Sequence, residues 1–146
     1  EGISKPTSED VHHSGTPAIE SFTKLQTGDD SSAECAATLD DVKNTMSLYG
    51  YKGRVHYVQG KVENTIPEKA PGQIALLRLD TDWYESTRHE LEHLYPRMAP
   101  GGVLIIDNYG DWQGARKAVD DYIAKQGLNL YLGRMDYTGR VAIKPF

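Results

Sequence analysis

Two apolar runs, each stopping on an aspartate, constrain this chain more than any other feature. They are "IALLRLD" (74–80) and "VLIID" (103–107). Leu76, Leu77 and Leu79 read as the inside of a strand, with Asp80 at its end. The 103–107 run is apolar on both faces, as expected of a strand buried in a parallel sheet. Between them, Glu85 to about Arg97 has helical spacing, with Leu91, Leu94 and Tyr95 inward, and "APGG" (99–102) breaks it. Strand, helix and strand in that order predict a parallel pair with a helical crossover.

The neighbouring segments extend the pattern. "TLDDVKNTMSLYG" predicts a helix capped by Thr38 and Asp41, with Leu39, Val42 and Met46 on one face and Gly50 as the stop. "RVHYVQG" (54–60) alternates as a strand does. A third helix is predicted over roughly Trp112 to Gln126, with Gly127 capping it. The tail, 128–145, predicts an antiparallel hairpin turning near Asp136–Gly139. The whole order predicts an α/β fold built on a doubly wound sheet. Residues 1–33 are rich in Ser, Thr, Asp, Gly and Pro and read as a polar loop or lid.

In open α/β sheets, ligands bind beyond the carboxyl ends of the strands. Asp80 and Asp107 close two successive strands. If these are neighbours, their ends lie about 5 Å apart. Asn108 adds a neutral oxygen. Two carboxylates and an amide oxygen suit a hard divalent cation, Mg²⁺ above others. Asp82, two residues beyond Asp80, has a second reading as the cap of the following helix. His12 and His13 are adjacent on a polar loop and read as solvated, because a metal site needs converging ligands.

Bulk properties exclude several classes. The 146 residues fit one domain, and 38% hydrophobic with 25% charged residues is ordinary for a globular chain. The formal net charge is −5 and no Lys/Arg stripe is visible, so nucleic acid is not an expected partner. No apolar run approaches the roughly 18 residues of a membrane span. No signal-peptide pattern is seen. The single cysteine, Cys35, is compatible with a reducing cytoplasm.

The stretch "LLRLDTDWYESTRHELEHLYPRMAPGGVLIIDNYGDWQGARKAVDDY" resembles the macrocin O-methyltransferase (TylF/MycF/NovP) family. "EGISKP", "TLDDVKNTMSLYG", "RVHYVQGKVENTIP" and "MDYTGRVAI" resemble other parts of the same family. The resemblance implies an S-adenosylmethionine-dependent enzyme that methylates a sugar hydroxyl of a glycoside natural product. It implies metal ligands at Asp80, Asp107 and position 108. There the family usually has Asp and this chain has Asn108, as in the catechol O-methyltransferases. It implies a general base at Asp82. It places Gly60, Lys61 and Val62 beside the adenine and Asp80 near the methyl donor. Tyr109 and Trp112 are candidates to line the acceptor pocket.

The resemblance also implies a Rossmann-like class I methyltransferase fold. No glycine-rich loop of the kind that follows its first strand is found. The expectation is therefore the C-terminal part of such a domain (34–146), without its first two strands. The exposed edge would then either close, pairing 54–60 with 74–80, or join a second copy in a homodimer. Two other functions remain open to the sequence: an inactive methyltransferase-like binding or assembly module, favoured by the lacking loop, and an Asp-x-Asp phosphatase with Asp80 as nucleophile. The phosphatase ranks last, because a strand precedes 74–80 and no lysine sits beside Asp107.

Overall fold

The computed structural model describes residues 3–27, 37–50 and 52–146. Glu1 and Gly2 of the "EGISKP" stretch and Cys35 lie outside the described residues. In chain order the elements are α1 (Ala18–Thr27), α2 (Leu39–Leu48), α3 (Val62–Thr65), β1 (Ile74–Leu79), α4 (Tyr84–Leu94), a 3₁₀ turn (Tyr95–Arg97), β2 (Met98–Ile106), α5 (Gln113–Gln126), β3 (Gly133–Arg134) and β4 (Arg140–Ile143). The sheet order is β1-β2-β4-β3. β1 and β2 run parallel, and β4 is antiparallel to both β2 and β3. The sheet is mixed: one parallel crossover followed by the antiparallel hairpin that the tail predicted.

The register decides where the site lies. Leu77 stands beside Leu104 and Leu79 beside Ile106. The N–H of Asp107 then donates to the carbonyl of Leu79 at 3.0 Å, so the two strands end side by side. Leu77, Leu79, Leu104 and Ile106 are buried with Leu91 and Leu94 of α4, Tyr95, and Val119 and Tyr122 of α5. Helical spacing on α4 and α5 thus covers one face of the sheet. Burial of these side chains, at roughly 1.5–3 kcal/mol each, is the main stabilising contribution.

Four expectations need correction. Residues 54–60 form no strand, and Val55, Tyr57 and Val58 are 40%, 41% and 49% exposed. An alternating sequence forms a strand only where a neighbour supplies its hydrogen bonds, and none pairs with it among the described residues. The edge of β1 therefore does not close onto 54–60. "APGG" is not the breaker between helix and strand: the 3₁₀ turn ends the helix, and "APGG" lies inside β2, which begins at Met98 with a register shift opposite 74–76. β2 is not buried on both faces. Gly102, Leu104 and Ile106 are buried, Val103 and Ile105 only partly so, and Leu76 beside Val103 is exposed. Finally, the 1–33 segment is not all loop, since it contains α1.

The capping box of α2 forms as predicted: Thr38 Oγ1 accepts from Asp41 N–H at 3.1 Å, and Asp41 Oδ2 accepts from Thr38 N–H at 3.1 Å. Yet Leu39 and Val42 remain exposed. Local capping fixed this helix, and of its apolar face only Met46 is partly buried.

Candidate active site

The end of the parallel pair gathers acidic groups. Asp80 and Asp107 are hydrogen bonded to each other, which holds Asp80 below the usual carboxylate range and lifts Asp107 above it. Burial opposes the first shift and adds to the second. Two carboxyls this close push their proton affinities apart. Arg78 reaches both: its guanidinium bonds Asp80 Oδ2, and Nη2 lies 3.0 Å from Asp107 Oδ2. Arg78 and Asp80 are i and i+2, so the pleat turns both to one side of β1.

Asp82 lies deeper in the mouth. Its carboxyl is pushed up from 3.8 to about 6, first by burial and then by the charges of Asp80, Asp111 and Asp107. Asn108 Nδ2 donates to Asp82 Oδ1 at 2.5 Å and partly offsets that rise. Asp82 does not cap α4. That role falls to Asp10, which sequence reasoning overlooked. Asp10 is 1% exposed, and its Oδ1 accepts from the Tyr84 N–H at 2.7 Å. Its Oδ2 accepts from Thr7 N at 2.7 Å and Thr7 Oγ1 at 2.9 Å. A segment far away in sequence satisfies the helix terminus and leaves Asp82 available.

The same segment packs across the site. Trp83 Nε1 donates to the Ser4 carbonyl at 2.6 Å. His12 and Trp112 form an isolated antiparallel bridge, and Gln113 N–H donates to the Val11 carbonyl at 2.8 Å. The Trp112 ring meets Trp83 and His12 edge to face, with centroids 5.0 and 5.4 Å away. Tyr109 is held from α5: its hydroxyl donates to Asp120 Oδ1 at 2.7 Å, and the Arg116 and Arg140 guanidiniums lie over its ring.

The structure therefore joins Asp80, Asp82, Asp107 and Asn108, with Trp112 nearby. Among the described residues, no hydrogen bond or ion pair joins Gly60, Lys61 or Val62 to that group. Gly60 has φ +138°, a turn only glycine adopts readily, and Lys61 precedes the short α3. Arg78, Asp10 and Asp111 were missed in the sequence. Of these, only Arg78 carried a signal, its two-residue offset from Asp80.

The donor set fits a hard divalent cation: two carboxylates plus the Asn108 amide oxygen. The acidic mouth also suits a sulfonium cation such as that of S-adenosylmethionine.

Comparison with known proteins gives one consistent answer. The family model for macrocin-O-methyltransferase (TylF) matches residues 12–143. The chain is 38% identical over 105 residues to the 8-demethyl-8-(2,3-dimethoxy-alpha-L-rhamnosyl)-tetracenomycin-C 4'-O-methyltransferase of Streptomyces olivaceus, covering 71% of this chain and 40% of that protein. It is 34% identical over 103 residues to the mycinamicin III 3''-O-methyltransferase of Micromonospora griseorubida, covering 70% and 40%. The chain thus spans about 40% of the length of these relatives. The structure of the O-methyltransferase NovP superposes with a TM-score of 0.78 at 26% identity, covering 99% of this chain and 57% of that one. A family match over most of the chain, with the parallel pair and hairpin of a methyltransferase sheet, establishes that this chain belongs to the macrocin-O-methyltransferase (TylF) family.

Proposed function

We propose that the protein is an S-adenosylmethionine-dependent O-methyltransferase acting on a sugar hydroxyl of a glycoside, with Mg²⁺ as its metal. The observation that carries this is Asp82: a carboxyl raised to about 6, beside two strand-end carboxylates, at the mouth where such sheets bind ligands. The rhamnosyl group in the name of the Streptomyces olivaceus relative supports a sugar acceptor.

In this reading Asp82 takes the proton from the acceptor hydroxyl as it attacks. A base whose pKa lies near working pH does this best, and burial with like charge moves Asp82 towards it. Asn108 fixes the carboxyl by its amide hydrogen and keeps its oxygen for a cation. Asp80, Asp107 and Asn108 would hold Mg²⁺. When bound, the cofactor supplies an electrophilic methyl group and the cation supplies Lewis acidity.

Gly60, Lys61 and Val62 would border the adenine, and the Gly60 turn supports this by bringing the backbone sharply round before α3. Tyr109 and Trp112 would line the acceptor side. Residues 1–33 would act as the lid over a domain spanning 34–146, supported by the packing of Ser4, Asp10 and His12 across the mouth. The edge of β1 that no strand pairs among the described residues, where Leu76 is 58% exposed, supports pairing of two copies. No helix among the described residues is long and apolar enough to cross a membrane. The one cysteine fits a reducing cytoplasm as the working compartment.

The test is methyl transfer from S-adenosylmethionine to a rhamnosyl glycoside, with and without a chelator. Transfer that needs the divalent ion is expected. Transfer unaffected by the chelator overturns the metal assignment, and no transfer to any glycoside hydroxyl overturns the acceptor class.

A further inference from the structure

We propose that His12, His13 and Asp111 form a second metal site, selective for Zn²⁺ or a similar borderline ion rather than Mg²⁺. Sequence reasoning set these histidines aside for want of converging ligands. The fold supplies the convergence. His12 Nε2 and His13 Nδ1 each lie 3.3 Å from the same oxygen, Asp111 Oδ1. All three ligand atoms lie within 4.8 Å of one another. A tetrahedral ion held at about 2.0–2.1 Å sets its ligand atoms roughly 3.3 Å apart. Two nitrogen-to-oxygen edges already have that length.

The ligands are also held in place. His13 N–H donates to the Asp111 carbonyl at 2.8 Å, and Gln113 Nε2 donates to the His12 carbonyl at 3.1 Å. The His12 ring stands edge to face on Trp112, and the His13 ring does the same on Tyr137, 5.3 Å between centroids. His12 Nδ1 lies 2.7 Å from Ser14 Oγ and also accepts a long bond from the Ser14 N–H at 3.3 Å; in the tautomer that donates to Ser14 Oγ instead, Nε2 is free for a metal. Imidazole ligands favour Zn²⁺, Cu²⁺ or Ni²⁺, whereas the oxygen donors of Asp80, Asp107 and Asn108 favour Mg²⁺. Two imidazoles and one carboxylate leave a fourth position open to water or an acceptor oxygen. The ion would staple residues 11–13 to the loop that carries Trp112.

The test is calorimetric titration of the protein with Zn²⁺, repeated with Co²⁺ and followed by its visible spectrum. One ion per chain is expected. His12→Ala and His13→Ala should each weaken it by more than about tenfold, since even an outer partner of a ligand contributes that much. Both side chains are partly exposed, so loss of the ligand leaves the fold intact. Asp80→Asn should bind Zn²⁺ as before, which separates this site from the proposed Mg²⁺ centre. The competing pair is His89 and His93 on α4, with centroids 4.5 Å apart. Loss of binding in His93→Ala, unchanged binding in both His12→Ala and His13→Ala, or no Zn²⁺ bound by the unaltered protein would overturn the proposal.

Discussion

Asn108 Nδ2 donates to Asp82 Oδ1 at 2.5 Å, so one amide just past the end of β2 joins the residue three places beyond the end of β1. This clarifies why an amide serves at position 108. A carboxylate there would face Asp82 with like charge, whereas the amide orients it. Asp82→Asn keeps the volume but removes the basic oxygen. Turnover should fall by roughly 10²–10⁴-fold, the usual worth of a positioned base. Mg²⁺ affinity, read by calorimetry, should stay unchanged. A variant with full turnover would place the base elsewhere.

Arg78 competes for the carboxylates that the Mg²⁺ reading needs. Its guanidinium lies against Asp80 and within 3.0 Å of Asp107 Oδ2, and about half of its side chain is exposed. Such half-exposed pairs contribute about 0.2–1 kcal/mol. Arg78→Gln should therefore tighten Mg²⁺ binding by roughly 1.4- to fivefold. Weaker binding in Arg78→Gln would mean that the arginine supports the ligands instead of opposing the ion.

Gly114 sits where α5 meets the segment that caps α4. A Cβ at this position would overlap Asp10 Oδ1 and come within 3.2 Å of the Glu9 carbonyl. Gly114→Ala should cost about 1–3 kcal/mol, as overpacking does. It should also loosen the Asp10 cap on Tyr84. Gly72→Ala is the control, because nothing lies within 4 Å of a Cβ there. Urea unfolding of both variants compares them. Equal stability would show that Asp10 moves aside freely.

The parts legible in the sequence are those set by local chemistry or by period. The box of Thr38 and Asp41, the stop at Gly127 and the hairpin near Asp136 all depend on neighbours in sequence. The convergence of Asp80 and Asp107 was legible because strand, helix and strand permit few arrangements. The failures were of context. "RVHYVQG" carries strand periodicity, but a strand also needs a partner. Asp10 and Asp111 look like ordinary loop aspartates, and only tertiary contact turns the first into a helix cap and the second into a neighbour of Asp82. His12 and His13 were noticed, yet nothing near them in sequence predicts a third ligand 98 positions away.

Glu90 predicts a pH dependence of stability. It is 7% exposed on α4, and its carboxyl is raised from 4.5 to about 7. Burial is the main cause, and the charges of Glu63 and Asp80 add to it. Thr81 Oγ1 donates at 2.7 Å and partly offsets the rise. The folded state therefore keeps a proton that the unfolded chain has lost between those two values. Stability from this group is complete below pH 4.5 and declines as pH rises through about 7. The interval is worth roughly 3 kcal/mol. Glu90→Gln mimics the protonated carboxyl at every pH. It should raise the urea midpoint clearly at pH 8 and barely at pH 5. An equal effect at both pH values would mean that Glu90 titrates in the fold as it does in the unfolded chain, with the hydrogen bond from Thr81 offsetting its burial.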